Sequence, residues 1–258
     1  MSLPSSDSPL FVGSVAKCFK VLRVFDGPKR EMTLAEISRE SGLDRSTTQR
    51  MVYTLEALGY LSRAPGTKAY ALTSRLLKFS YNYVRKHELI AKAMPYLQEL
   101  SAAFKETVNL QELDGNEIVL IARVVSPHLM NIRVAVGSRL PAVFTASGTA
   151  ILATMAPEDR DRILASSQFE PLTPQTESRH DQLVARIEQA AFKGYAILTN
   201  QAAMGDISLA APILGSEGFA VAALNISVPS SRWTAREVET KMAKHLQATA
   251  RALSVTAQ

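Results

Sequence analysis

Residues 33–60, TLAEISRESGLDRSTTQRMVYTLEALGY, hold the side chains best suited to read another macromolecule: Arg45, Ser46, Thr47, Gln49, Arg50 and Tyr53. Arg and Gln offer paired hydrogen-bonding groups that match the edges of base pairs in a DNA major groove, and Ser, Thr and Tyr reach bases or phosphates. At roughly 100° per residue, Arg45, Ser46, Gln49, Arg50 and Tyr53 share one side of a helix. Thr48, Met51, Val52, Leu55 and Leu58 share the other. One packed face and one face of donors is what a recognition helix requires. An ordinary surface αα-hairpin can carry the same residue types, so the flanking elements have to decide.

Those elements are legible. Thr33 is placed to cap a first helix, with Glu36 three residues on completing a capping box. Gly42 suits a left-handed helix end, and Asp44 caps the second helix. Downstream, the Leu61 and Ala69–Leu72 stretches read as two short strands around Pro65-Gly66, with Arg63 and Lys68 near the tip. A hairpin in that position is a wing, and its cations would meet the phosphate backbone.

Charge agrees. The chain of 258 residues has 29 Lys+Arg against 24 Asp+Glu, net +5. Residues 1–87 hold 14 basic and 7 acidic residues, and the remainder holds 15 and 17, so the whole cationic excess lies with the helix-turn-helix. Such a patch favours a polyanion through counterion release. Nucleic acid is preferred over an anionic membrane, because no basic amphipathic helix with an aromatic insertion face is present. The opening MSLPSSDSPLF lacks the basic and apolar regions of a secretory signal, and no 18-residue apolar run exists. One cysteine, Cys18, permits no intrachain disulfide; a cytoplasmic location is expected. Cys18 falls in an apolar helix expected over Ser14–Phe25 and reads as a packed small hydrophobe. Val15, Phe19, Leu22 and Phe25 of that helix present more apolar surface than one small domain needs, which points to a symmetric dimer. Packing inside their own domain is the competing explanation.

Past the wing, Ser74–His87 reads as a linker helix. Glu88–Phe104 is a further helix that Pro95 should kink or divide. Then the period changes to two. Thr107–Leu113 and Glu117–Val125 flank the turn Asp114-Gly115-Asn116, and Met130–Val136 is another strand candidate. A Thr145-Ala146-Ser147-Gly148 loop leads into a helix ending near Met155, followed by helices over Pro157–Ala165 and Asp181–Lys193. Strands are expected at Gly194–Leu198, Ile207–Leu214 and Phe219–Val228, with a closing helix over Thr234–Leu253. Hairpins in one sheet with helices around it define an α+β fold. The four histidines have no metal-ligand spacing, and no nucleophile elbow, P-loop or dinucleotide fingerprint occurs. No cofactor and no metal are expected.

The segments GLDRSTTQRMVYTLEALGYL, LDGNEIVLIARV, VGSRLPAVFTASGTAILA, PLTPQT, KGYAI and LAAPILGSEGFAVAALNISVP stand in this order, and together they resemble the IclR-type transcriptional regulators over nearly the whole chain. The resemblance implies an N-terminal winged helix-turn-helix joined by a linker helix to a GAF/PAS-like effector-binding domain. Divided accordingly, residues 1–10 form a disordered tail and 11–73 the DNA-binding domain (helix-turn-helix 33–58, wing 60–72). Residues 74–87 are then the linker helix and 88–258 the effector domain. It also implies dimers or tetramers on palindromic double-stranded operators, no enzymatic activity, and a small-molecule effector. MNIRVAVGSRLPAVFTASG and LNISVPSSRW look most like the subgroup governing aromatic-acid breakdown through protocatechuate and 4-hydroxybenzoate.

By the same resemblance, Ala146, Ser147 and Gly148 occupy loop positions that contact ligand, and Ser208, Asn225 and Ser227 strand positions that face it. Asn225 and Ser227 alternate with apolar neighbours and so project from one sheet face; the solvent face of a half-buried strand is the plainer account. Ser147 equally suits the N-cap of the following helix. Relatives often carry an acidic run after the Gly-Tyr pair, whereas here Leu198 and Gln201 hold the matching positions and LTNQAAMG has no acid. The expectation is a neutral, apolar pocket that takes an aromatic or similar mid-sized metabolite rather than a small oxoacid. Two rivals are an enzyme on the second domain with Ser147 as nucleophile, and a nucleoid-type DNA binder that leaves that domain without a task.

Overall fold

The structure, a computed structural model, describes residues 7–128, 134–167 and 169–256, and elements and contacts are counted over these. The chain forms two compact units, up to Tyr83 and from Val84. Most of the tail expected at 1–10 lies outside the described residues.

The first unit contains helix α1 (Gly13–Arg23), a 3-10 turn at Val24–Asp26, strand β1 (Met32–Thr33), α2 (Leu34–Ser41), α3 (Arg45–Ala57), and strands β2 (Leu61–Arg63) and β3 (Ala69–Leu72). Local chemistry sets the α2 and α3 boundaries. Thr33 Oγ1 accepts from the Glu36 amide while Glu36 Oε2 accepts from the Thr33 amide at 2.9 Å, a full capping box. Gly42 ends α2 at φ 66°, a left-handed conformation that suits glycine. Asp44 Oδ1 then accepts from the Thr47 amide at 2.9 Å and opens α3. The core collects Val21, Phe25, Ile37, Val52, Leu55, Leu61 and Tyr70. Phe25 is therefore interior, not part of an exposed face as its helical spacing suggested, because α1 has ended and Phe25 lies within the 3-10 turn Val24–Asp26. Leu58, expected on the packed side of α3, follows its last turn and is exposed. The wing's two strands gain a third partner in β1, giving the order β1-β3-β2. A 3-10 turn (Ser74–Leu76) leads into α4 (Leu77–Lys86), within which the division between units falls.

The second unit is built on a six-stranded antiparallel sheet. Its strands are β4 (Thr107–Asp114), β5 (Glu117–Val124), β6 (Arg139–Pro141), β7 (Ala196–Thr199), β8 (Asp206–Leu214) and β9 (Ala220–Pro229), in the order β6-β5-β4-β9-β8-β7. Gly115, at φ 66°, makes the tight turn between β4 and β5. One face of the sheet packs on α5 (Glu88–Phe104) and α9 (Ala235–Thr256), through Leu97, Leu100, Met242 and Leu246 against Val108, Leu209, Leu224 and Ile226. Helices α6 (Ala146–Leu152), α7 (Pro157–Ser166) and α8 (His180–Lys193) supply the apolar clusters associated with the other face.

Three expectations change here. Pro95 does not divide α5, which runs through it. Both Pro95 and Ala91, whose carbonyl loses its partner, are solvent-exposed, so water can take that hydrogen bond. Of the strand expected at Met130–Val136, residues 130–133 lie outside the described residues and 134–136 are not strand; among the described residues the edge of the sheet is β6. The Thr145–Gly148 loop is not a loop: Thr145 is the N-cap, its Oγ1 accepting from the Gly148 amide at 3.0 Å, and Ala146, Ser147 and Gly148 form the first turn of α6. Ser147 is therefore not the cap.

Every residue of α6 is buried, and a Cβ added at Gly148 would fall well inside contact distance of the Ala142 carbonyl oxygen. Gly148→Ala should force α6 away from Ala142 and cost about 1–3 kcal/mol, as overpacking does. Thermal unfolding followed by circular dichroism checks this; a melting temperature equal to that of the wild type would show that the close approach has room to yield.

Candidate DNA-binding face and effector cavity

Helix α3 turns Thr48, Val52 and Leu55 into the core. Arg45, Ser46, Gln49 and Arg50 are exposed on the opposite side, and Tyr53 is 72% exposed, too open for a core aromatic. Thr47 is half-buried, its amide spent on Asp44. Hydrogen bonds from the Thr47 hydroxyl, and then from its amide, hold the Asp44 carboxyl below the usual carboxylate range. On the wing, Lys68 and Arg63 are both exposed, but they differ. Arg63 donates to Glu56 at 3.2 Å and lies over the Tyr70 ring at 5.4 Å. Part of its charge is thus answered within the protein, while its position is held.

In the second unit a cavity of about 140 Å³ lies between the sheet and α6. Its lining contains Ala146, Ser147, Leu198, Gln201, Ser208, Asn225 and Ser227, brought together from three separate stretches of chain. Gly148 is not in the lining; its task is the approach to Ala142. Register explains the convergence. Ser208 pairs with Ser227 across β8 and β9, and Asn225 with Asn109 across β9 and β4. Alternation sends these residues to the cavity face and Leu209, Leu224 and Ile226 to the α5/α9 core.

The polar groups are joined. Asn225 Nδ2 donates to Ser208 Oγ at 2.7 Å and to the Leu209 carbonyl at 3.2 Å, and Asn109 Nδ2 donates to Asn225 Oδ1 at 2.7 Å. Ser147 donates to Gln111 Oε1. Ser227 Oγ donates to Asp206 Oδ1 at 2.5 Å. Leu120, Leu140 and Phe144 supply apolar wall.

Among the described residues two charged side chains also line the cavity, Arg123 on β5 and Asp206 at the start of β8. Burial pushes the Asp206 carboxyl up to about 6, against the opposing pull of Ser227 and Arg123. Burial lowers the Arg123 guanidinium, with Asp206 opposing. The expected neutral pocket is thereby corrected: the segment 198–205 has no acid, but the residue after it is one. Asn109, Gln111, Arg123 and Asp206 were all missed. Polar residues at every second position of TVNLQ were a visible sign for the first two. Nothing local marks Arg123 or Asp206.

The 198–205 segment is latched over this site. Gln201 Oε1 accepts from the Glu177 amide at 2.9 Å and from Arg186 Nη1 at 3.0 Å. Its Nε2 donates to the Gln175 carbonyl at 2.7 Å, and its own carbonyl accepts from Thr176 Oγ1 at 2.7 Å. Arg186 is held partly by the Val143 carbonyl, and desolvation lowers it to about 10. Asn200 sits at φ 57° and accepts from the Gly205 amide at 2.7 Å.

A winged helix-turn-helix and a separate sheet unit enclosing a polar cavity make up a DNA-binding regulator with an effector domain. Comparison with known proteins gives the family. The profile for the IclR helix-turn-helix domain matches residues 14–65, and that for the C-terminal domain of the bacterial transcriptional regulator IclR matches residues 81–255. The chain belongs to the IclR family of transcriptional regulators. It is 31% identical over 246 residues to the Pca regulon regulatory protein of Pseudomonas putida, covering 95% of this chain and 84% of that one. A transcriptional regulator from Rhodococcus sp. RHA1 shares the fold at a TM-score of 0.78 and 33% identity, over 95% of this chain and 97% of that one. An IclR homologue of Microbacterium hydrocarbonoxydans complexed with 4-hydroxybenzoate shares it at 0.76 and 24% identity, over 95% and 98%. Among the described residues no helix is long and apolar enough to cross a membrane.

Gln201 is the latch residue with the most partners. Gln201→Ala should release the 199–205 segment, speeding amide hydrogen exchange there by roughly tenfold, the equivalent of about one net hydrogen bond. Exchange in β4 and β9 should stay unchanged. Equal protection of 199–205 in variant and wild type would show that the bonds from Thr173 Oγ1 to the Asn200 carbonyl and from Thr176 Oγ1 to the Gln201 carbonyl suffice to hold it.

Proposed function

We propose that this regulator senses a monocyclic aromatic acid and controls a catabolic operon in response. The cavity carries the reading. At about 140 Å³ it is near the roughly 150 Å³ of an engineered cavity that holds benzene. Leu120, Leu140 and Phe144 would face a ring, and Arg123 a carboxylate. Ala146, Ser147, Leu198, Gln201, Ser208, Asn225 and Ser227 complete the contacts, with Gly148 setting the position of α6. The kinship with a Pca regulon regulatory protein accords with this effector class.

Effector binding acts on DNA by favouring one arrangement of a dimer over another, a coupling of typically about 1–3 kcal/mol. The dimer surface proposed is an apolar groove in the first unit, lined by Val15, Phe19, Leu22, Leu58, Tyr60 and Phe79. Val15, Phe19, Leu58 and Phe79 are each about half exposed or more, and a second copy would cover them while matching a two-fold operator. Arg45, Ser46, Thr47, Gln49, Arg50 and Tyr53 read the major groove, and Arg63 and Lys68 the backbone. Its target places the protein in the cytoplasm.

Gel-shift competition at several salt concentrations tests the DNA face. Arg45→Ala, Gln49→Ala and Arg50→Ala should each reduce operator discrimination by roughly 1–3 kcal/mol. Lys68→Ala should weaken all DNA alike and lower the salt slope by about 1. Arg63→Ala should do less, since Glu56 already answers its charge. Preserved operator preference in the helix variants would sink the assignment.

Sedimentation at micromolar protein tests the groove. The wild type should run as a dimer or larger, and Phe19→Glu should shift it towards the 28.1 kDa monomer. A wild type that runs only as a monomer would remove the two-fold model.

A further inference from the structure

One buried hydrogen-bond acceptor inside the cavity, Asn109 Oδ1, has no donor among the described residues, and a second, Asp206, is answered on one oxygen. The direction of the amide chain can be fixed, because the Leu209 carbonyl only accepts, so the Asn225 nitrogen must face it. Asn225 Oδ1 then faces Asn109, whose nitrogen donates to it. Asn109 Oδ1 is left buried and, among the described residues, accepts nothing. Asn109 itself is only 5% exposed. The second acceptor is Asp206, 9% exposed, whose side-chain donor among the described residues is Ser227, to one oxygen. A buried acceptor without a donor costs about 1–3 kcal/mol, more when charged.

Building on the aromatic-acid reading, we propose that Asn109 and Asp206 are the specificity-determining residues of the cavity and select effectors carrying hydroxyl groups, whose O–H bonds they accept. A bare carboxylate brings acceptors only, and so it can answer Arg123 and the Ser208 hydroxyl but neither Asn109 Oδ1 nor Asp206. The effector is then a hydroxylated acid, with its carboxylate at Arg123 and its hydroxyl donors towards Asp206 and Asn109. Both residues line the same cavity as Arg123 and Ser208. Neither belongs to the segments whose resemblance marks the pocket.

The ionised form of Asp206 accepts from a hydroxyl on both oxygens and more strongly than the protonated form, so hydroxyl binding favours ionisation and releases a proton wherever Asp206 is protonated in the free protein. With its free-state value near 6, affinity for a hydroxylated ligand is full above that pH and falls as the pH drops through it. Arg123 is the other titratable group lining the cavity among the described residues, and it stays charged throughout.

Calorimetric titration of the full chain with benzoate, 4-hydroxybenzoate, 3,4-dihydroxybenzoate and gluconate tests this. At least one hydroxybenzoate should bind roughly ten- to a hundredfold tighter than benzoate, the scale of a hydrogen bond to a charged group. Asp206→Asn should reduce that preference to within about threefold. In the wild type, without any substitution, lowering the pH from about 8 to about 5 should weaken hydroxybenzoate more than benzoate. Equal affinity for benzoate and both hydroxybenzoates, or an affinity that rises as the pH falls, overturns the hydroxyl selection and leaves the aromatic reading standing. Binding of gluconate alone upholds hydroxyl selection and overturns the aromatic reading.

Discussion

The pairing of β8 with β9 is the constraint on which the second unit depends. Ser208 opposes Ser227, and Leu209 opposes Ile226. Side chains on neighbouring residues of a strand point to opposite faces, so a slip of one residue would exchange the two sets. A slip of β8 would push Asp206 and Ser208 into the layer shared with α5 and α9 and turn Ile207 and Leu209 to the cavity, and a slip of β9 would do the same to Asn225 and Ser227 in exchange for Leu224 and Ile226. The register is held by the apolar side: Leu209, Leu224 and Ile226 are fully buried. The polar floor of the cavity is thus positioned by residues that never touch it.

Closure of the cavity depends on two further devices. Thr145 caps α6 at a point where Gly148 lets the helix approach the Ala142 backbone, which brings Ser147 within reach of Gln111. From the other side, the loop before β8 is tied by Thr176, Glu177 and Arg186 to Gln201. At the far end of β9, Glu106 is almost wholly buried and accepts from Arg232 at 2.8 Å and from the Trp233 indole at 2.7 Å. That ties the turn leading into α9 to the start of β4. The scaffold is rigid where it positions polar groups, as a site that discriminates by hydrogen bonding requires.

In the first unit the division of labour is between charge and shape. Capping by Thr33 and Asp44 fixes where α2 ends and α3 begins, and so which residues of α3 face outward. Arg63 shows how a wing cation is disciplined: pairing with Glu56 and stacking on Tyr70 hold its position and use part of its field. Lys68, at the tip, keeps its charge for long-range attraction.

The helix-turn-helix was legible in the sequence because its determinants are local. A capping box, a left-handed glycine and a helical apolar period all act within a few residues, and the charge excess needs only counting. The strands of the second unit were legible for the same reason, from Asp114-Gly115-Asn116 and from alternation. What the sequence could not supply was the rest of the cavity beyond the residues the resemblance marked. Asn109, Arg123 and Asp206 belong to different strands, and only the order β5-β4-β9-β8 brings them to one side of α6. A window ending at Gly205 found no acid and implied a neutral site, while burial, a tertiary property, pushed the carboxyl of the next residue up to about 6. Phe25, Leu58 and Pro95 departed from expectation for a related reason. Period describes which residues share a helix face, but packing and the end of each helix decide which of them meet solvent.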